Sequence, residues 1–64
     1  MLRSVLPSLV GRLAENRTTG ERQRIADVLL VPGTGRVAYA VVTEGTESRL
    51  ELWDEREADV LRPG

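Results

Sequence analysis

Carboxylates are the side chains in this sequence that could take part in acid–base chemistry. Asp27 stands out because it lies inside the apolar segment of residues 25–31. A buried, unpaired carboxylate is costly, so we expect Asp27 to reach solvent, or to pair with Arg36 or with nearby backbone N–H groups. General acid–base work on that strand would need a second carboxylate at a fixed spacing, and the strand has none. Asp27 is therefore predicted to be structural.

A second acidic group lies near the end of the chain, where four carboxylates follow closely on one another: Asp54, Glu55, Glu57 and Asp59. Hard cations such as Mg²⁺ and Ca²⁺ take oxygen ligands, but Arg56 interrupts the group and the ligand spacing of a calcium loop is missing. Zinc sites use His or Cys, and the sequence contains neither. We expect a solvated acidic surface, with no metal and no other cofactor.

Composition removes most other catalytic chemistry. The sequence has no His or Cys for a catalytic triad, and all nine basic residues are Arg, so no Lys is present for a Schiff base or a Walker motif. The run Gly33-Thr34-Gly35 lacks the helix that follows a phosphate-binding loop, and it is interpreted as a turn. The sequence therefore predicts a protein that is not an enzyme.

Size and charge bear on the partners. The 64 residues form one domain, over 1–64, and so small a domain gains stability from a partner subunit. A net charge of −1 gives no electrostatic footprint for nucleic acid, and we expect no such partner. The alternative is an RNA- or ribosome-linked accessory domain, suggested by four arginines around the first predicted turn: Arg12, Arg17, Arg22 and Arg24.

Hydropathy gives no sign of a membrane segment. The apolar runs, such as residues 28–32, are far too short to span a bilayer, and the first residues lack the apolar core of a signal peptide. We expect a cytoplasmic protein with no membrane span.

The segments that carry the candidate side chains are predicted to be short strands. Pro7 and Gly11 favour a short helical or 3₁₀ turn near the start, with an extended arm as the alternative. Residues 11–15 and 22–31 are predicted strands around a Thr- and Gly-containing turn. Residues 24–43 predict a hairpin, in which Gly33 and Gly35 supply positive φ and the Thr34 hydroxyl bonds the backbone.

The second strand of that hairpin is apolar on both faces, which a half-exposed strand would not be. We therefore expect cover on both sides, one side being the core and the other the N-terminal segment or a second subunit. After a turn at residues 44–48, the alternation in residues 49–53 predicts Leu50 and Leu52 inside and Trp53 outside. A helical turn capped by Asp54 and a last short strand, residues 58–62, complete the prediction.

Residues 25–42 resemble the central hairpin of the PRC-barrel domain family, named after the photosynthetic reaction centre H subunit. Asp27 matches the acid of the family's first strand, residues 32–37 match most of its turn, and residues 39–42 match its second strand. Residues 6–12 and 50–54 resemble the family's first turn and its closing strand, whereas Val31 stands where the family usually has Asp. The resemblance implies a protein-binding or assembly domain, often dimeric, with no catalytic residues to carry over.

We thus predict an all-β fold: a small PRC-barrel-like antiparallel barrel of about five to six short strands, with a short N-terminal helical turn. The predicted function is a non-catalytic protein-interaction or assembly module that forms a homodimer and binds a protein partner not identified by the sequence. The turn motif is Pro32, Gly33, Thr34, Gly35 and Arg36. The candidate interface residues are Leu9, Val10, Leu29, Ala40, Val42 and Trp53.

Overall fold

A computed structural model describes residues 3–43 and 47–62, which form six strands and one 3₁₀ turn. The strands are β1 (Arg3–Ser4), β2 (Leu13–Asn16), β3 (Arg22–Leu30), β4 (Val37–Thr43), β5 (Arg49–Asp54) and β6 (Ala58–Val60), and the 3₁₀ turn spans Pro7–Leu9. Every strand pairing is antiparallel. The predicted all-β class, with six short strands and a short N-terminal turn, is confirmed.

Strand β3 is the centre of the sheet, whose order is β5-β4-β3-β2-β6. One edge of β3 pairs with β4, and its other edge is shared by β2 and β1. In the part of the chain that the structure describes, β5 and β6 do not pair, so the sheet is not closed. Trp53 on β5 and Ala58 on β6 nevertheless belong to one buried cluster. The sheet therefore wraps around a single core.

The β2–β3 turn is built by the side chain of Asn16, which is buried. Its Oδ1 accepts hydrogen bonds from the backbone N–H groups of Thr18 and Thr19, at 2.9 and 3.1 Å. Gly20 has a φ of 77° and its N–H donates to the Asn16 carbonyl at 2.8 Å. Asn forms such turns readily because its short side chain can reach its own following backbone.

The β3–β4 turn has the predicted chemistry. Gly33 and Gly35 have φ values of 75° and 71°, a region that other L-residues rarely adopt. The Thr34 hydroxyl donates to the Val31 carbonyl at 2.8 Å and accepts from the Arg36 N–H at 3.1 Å. The Val31 N–H donates to the Arg36 carbonyl at 2.9 Å and closes the hairpin.

The structure describes only part of the β4–β5 turn but all of the β5–β6 turn. Part of the predicted turn at residues 44–48, namely residues 44–46, lies outside the described residues. Residues 55–57 form a hydrogen-bonded turn, not the helical turn we predicted, and the Glu57 N–H donates to the Asp54 carbonyl at 2.8 Å. Asp54 is the capping residue, since its Oδ1 accepts from the Arg56 N–H at 2.9 Å.

The core lies on one side of β3, β4 and β5, and its largest fully buried side chains are Ile25, Val28 and Val41. Ala26 has no partner on β4 and forms a β-bulge, since Ile25 pairs with Val41 and Asp27 with Ala40. The extra residue shifts the alternation, so Ile25 and Val28 both face the core. A regular alternation would have placed these two residues on opposite faces of β3.

The prediction of which β5 side chains point into the core was also wrong. Trp53 is 3% exposed and packs in the core, whereas Leu50 and Leu52 are 67% and 51% exposed. The register explains the reversal, because Trp53 lies opposite Tyr39 on the core side of the sheet. Leu52 lies opposite Ala40 on the other side.

Candidate functional site

The side of β3, β4 and β5 that faces away from the core carries an apolar surface. We call it the outer face and define it by six residues that share this side through the strand register: Leu29, Ala38, Ala40, Val42, Leu50 and Leu52. Val42 is 40% exposed, and it lies opposite Leu50, which is the most exposed large apolar residue described. Single exposed leucines are ordinary on protein surfaces, but a contiguous set on one sheet face is typical of an interaction site.

Two alanines form the middle of the outer face. Ala38 lies between Leu29 and Asp54 on the neighbouring strands, and Ala40 lies between Asp27 and Leu52. Both alanines are buried although they face outward. Their methyl groups are short, so the longer neighbours shield them from water. The outer face is therefore shallow in the middle, with longer side chains around it.

The predicted interface residues fall into three places. Leu29, Ala40 and Val42 lie on the outer face. Leu9 is partly buried and packs against the core cluster. Val10 is exposed beside a cleft, and Trp53 is on the opposite side of the sheet.

Sequence reasoning missed Leu50 and Leu52 as members of this surface. Their alternation with Trp53 was visible, and placing the larger indole inside would have found them, because an indole buries more apolar area than a leucine.

Two opposite charges project from the same side of β3. Arg24 alternates with the buried Ile25, and Asp27 lies opposite the outward-facing Ala40. Asp27 Oδ2 accepts from the Ser4 hydroxyl at 3.0 Å, and its Oδ1 accepts from the Val28 N–H at 2.8 Å. Of the three alternatives predicted for Asp27, two are found: the carboxylate is partly exposed to solvent and accepts from a backbone N–H, and Arg36 is not its partner.

Arg36 pairs with Asp54 instead, at the far end of the outer face. Its Nε lies 3.3 Å from Asp54 Oδ2, and Arg56 Nε lies 3.3 Å from Asp54 Oδ1. The hydrogen bond from the Arg56 backbone N–H, followed by those from the Arg36 and Arg56 side chains, holds the pKa of Asp54 below its ordinary value. This carboxylate is thus used within the chain.

A cleft of about 430 Å³ adjoins the outer face at Val42. Val10, Leu13 and Val42 contribute apolar walls, and Arg22 and Arg24 contribute guanidinium groups. Among the described residues that line it there is no carboxylate, hydroxyl, thiol or imidazole. The cleft can attract an anionic group to an apolar surface, but its lining supplies no general acid, general base or nucleophile.

The four arginines of the RNA alternative are held by contacts within the chain. Arg17 pairs with Asp59 at 3.3 Å, and Arg22 with Glu15 at 3.7 Å. The remaining two donate to carbonyl groups: Arg12 Nη2 to Leu61 at 2.8 Å, and Arg24 Nη1 to Gly11 at 2.9 Å. They do not form a free basic surface with the aromatic side chains that stack on RNA bases.

Tyr39 is the only tyrosine of the sequence and belongs to the core cluster. Burial raises the pKa of its hydroxyl, and the charge of Glu55 raises it further. The hydroxyl therefore stays protonated at neutral pH and supplies no phenolate.

Comparisons with known proteins found no match for this chain. No protein-family model matches it, and searches of the curated proteins and of the solved structures found no match.

Within residues 3–43 and 47–62, no group of three or more acidic, His or Cys residues could hold a metal ion. None of the helical structure in these residues is long and apolar enough to cross a membrane.

Proposed function

We propose that this chain is a non-catalytic protein-interaction module that forms a homodimer through its outer face. The observation that carries the proposal is the exposure of Val42, Leu50 and Leu52 on one side of the sheet. Covering these side chains removes apolar area from water, which contributes about 25 cal/mol per Å². The resemblance to PRC-barrel domains supports the same assignment. We propose in addition that the chain belongs to this family and that it is cytoplasmic.

The exposed surface is large enough for an interface of ordinary size. The chain exposes 4600 Å². A monomer of 7.1 kDa is expected to expose about 4100 Å² from the scaling of surface with mass. An ordinary protein interface covers about 800 Å² of each partner, about a sixth of the 4600 Å² exposed here. The outer face offers the apolar centre that such an interface needs.

Sedimentation equilibrium tests this proposal. The wild-type chain is expected to sediment with twice its 7.1 kDa mass at low micromolar concentration. Val42→Glu and Leu52→Glu each place a charge in the outer face and are expected to give folded monomers, because an unpaired charge is costly to bury at an interface.

Leu6→Glu is the matched control. Leu6 is 48% exposed, close to the 51% of Leu52, but it lies beside the N-terminal 3₁₀ turn. This variant is expected to remain a dimer, with circular dichroism confirming that all variants fold. A monomeric wild type at all accessible concentrations would overturn the homodimer, and dimers of both outer-face variants would place the interface elsewhere.

A further inference from the structure

The bulge at Ala26 places Arg24 and Asp27 on the same side of β3. In a regular strand, residues three apart point to opposite faces, because the side chains alternate with a period of two. The unpaired Ala26 shifts that alternation by one position. Arg24 therefore projects away from the core near Val42, and Asp27 projects away from it beside Ala40.

Neither charge is neutralised by an ion pair within the described residues. The ion pairs formed there involve Arg17, Arg22, Arg36 and Arg56, and Asp27 is in none of them. Among residues 3–43 and 47–62, Arg24 donates only to the Gly11 carbonyl, and Asp27 accepts only from Ser4 and Val28. A cation and an anion thus share the outer face, and each could take a partner of opposite charge.

The spacing of the two charges selects one way of packing two copies. Arg24 and Asp27 are about 7 Å apart along β3, at about 3.3 Å per residue, because the bulged Ala26 adds little length: Ile25 and Asp27 pair with adjacent residues of β4. A two-fold axis parallel to the strands would bring Arg24 against Arg24 of the second copy. A two-fold axis across the strands, passing near Ala26, brings each Arg24 against Asp27 of the other copy. Ala26 adds only a methyl group at the axis, so it does not hold the copies apart.

We infer that the outer face binds a second copy with β3 running antiparallel to β3, so that two reciprocal Arg24–Asp27 ion pairs border the apolar contact. The inference rests on the proposed homodimer and specifies its geometry. The arrangement is isologous, since the same patch serves both copies, and its closed symmetry limits assembly to two chains. Charge complementarity of this kind sets the orientation of partners, while the apolar residues supply most of the affinity.

Charge reversal tests the geometry. Arg24→Glu brings two pairs of carboxylates together in the dimer, and Asp27→Arg brings two pairs of guanidinium groups together. Each variant alone is expected to dimerise at least about a hundredfold more weakly than wild type at low salt, because like charges placed across an interface are strongly unfavourable. An equimolar mixture of the two variants is expected to form a heterodimer, since one Arg24–Asp27 pair keeps its native polarity and the two substituted positions form the other pair with reversed polarity.

Arg62→Glu is the control for Arg24→Glu, because it makes the same change in net charge at an exposed residue after β6. It is expected to dimerise like wild type. Should Asp27→Arg fail to fold, Asp27→Asn keeps an acceptor for the Val28 N–H. It is expected to weaken the dimer about tenfold and to reduce its dependence on salt.

Three results distinguish the inferred antiparallel geometry from the proposed homodimer on which it rests. A wild-type dimer that Arg24→Glu and Asp27→Asn leave unchanged would refute this geometry, while self-association would stand. A mixture of the two reversed variants that stays monomeric while each is folded would also refute it. A monomeric wild type would remove the homodimer itself.

Discussion

The indole Nε1–H of Trp53 donates a hydrogen bond to Glu51 Oε2 at 3.1 Å, between two residues on the same side of β5. Trp53 is nearly fully buried, so its N–H would otherwise lose its hydrogen bond to water. Glu51 thus lets the only tryptophan of the chain enter the core without an unpaired donor.

Replacing Glu51 is expected to destabilise the fold, because the indole N–H of Trp53 loses its hydrogen-bond acceptor. Glu51→Ala leaves the indole N–H without this acceptor and should lower the free energy of unfolding by about 1–3 kcal/mol. Glu51→Gln keeps an acceptor oxygen and should lie close to wild type. Urea unfolding followed by tryptophan fluorescence measures both variants. Equal stability of the two would show that the hydrogen bond contributes nothing.

Asn16 is expected to be the most sensitive position of the β2–β3 turn. Asn16→Ala removes the acceptor of two backbone N–H groups and should destabilise the fold by about 2 kcal/mol. Asn16→Asp retains an acceptor oxygen at the same place and serves as the comparison. Thermal unfolding by circular dichroism provides the measurement. The prediction is wrong if the Ala variant melts with the Asp variant.

Leu6 has a left-handed backbone, with φ 50° and ψ 56°, which is strained for a residue with a β-carbon. Leu6→Gly and Leu6→Ala both delete the side chain, but glycine alone relieves the strain. We expect the Gly variant to be more stable than the Ala variant by about 1 kcal/mol, the reverse of the usual order. Urea midpoints of the two variants decide the matter, and a more stable Ala variant would contradict it.

Asp54 is expected to make the fold sensitive to acid. Its pKa is lowered in the folded chain, first by the Arg56 N–H and then by the Arg36 and Arg56 side chains. The folded state therefore resists protonation more than the unfolded state does. The stabilisation is complete above the unfolded pKa, about 3.9, and is lost as the pH falls through the lower folded pKa.

The Asp54→Asn variant should lose this dependence, since it has no carboxylate to protonate. Unfolding midpoints measured between about pH 5 and pH 2 should fall less steeply for the variant than for wild type. Parallel curves would assign the acid sensitivity to other carboxylates.

The β3–β4 hairpin was predictable because its signals are local. Gly33, Gly35 and Thr34 specify the turn through their own backbone and hydroxyl chemistry, and the structure places them as expected. The class of the fold follows from the same kind of signal, since runs of β-prone residues are separated by turn residues at short intervals.

The facing of β5 and the bulge in β3 could not be predicted in the same way. Alternation divides β5 into two sets, but the register with β4 decides which set is buried. Strand β4 gave no guide, because Ala38, Tyr39, Ala40 and Val41 are apolar on both faces. The bulge at Ala26 depends on the pairing of β3 with β4, and no local signal at Ala26 marks it. The candidate site was therefore only half predicted, through Leu29, Ala40 and Val42.

The strand order has a consequence for the kinetics of folding. The pairs β2–β3, β3–β4 and β4–β5 join neighbours in sequence, whereas β1 pairs with β3 and β6 pairs with β2 across long stretches of chain. Closing long loops costs more entropy and comes later on a folding pathway. We expect the four-strand meander to form first and the two chain ends to dock last. In native-state hydrogen exchange, the amides of β1 and β6 should accordingly open before those of β3 and β4.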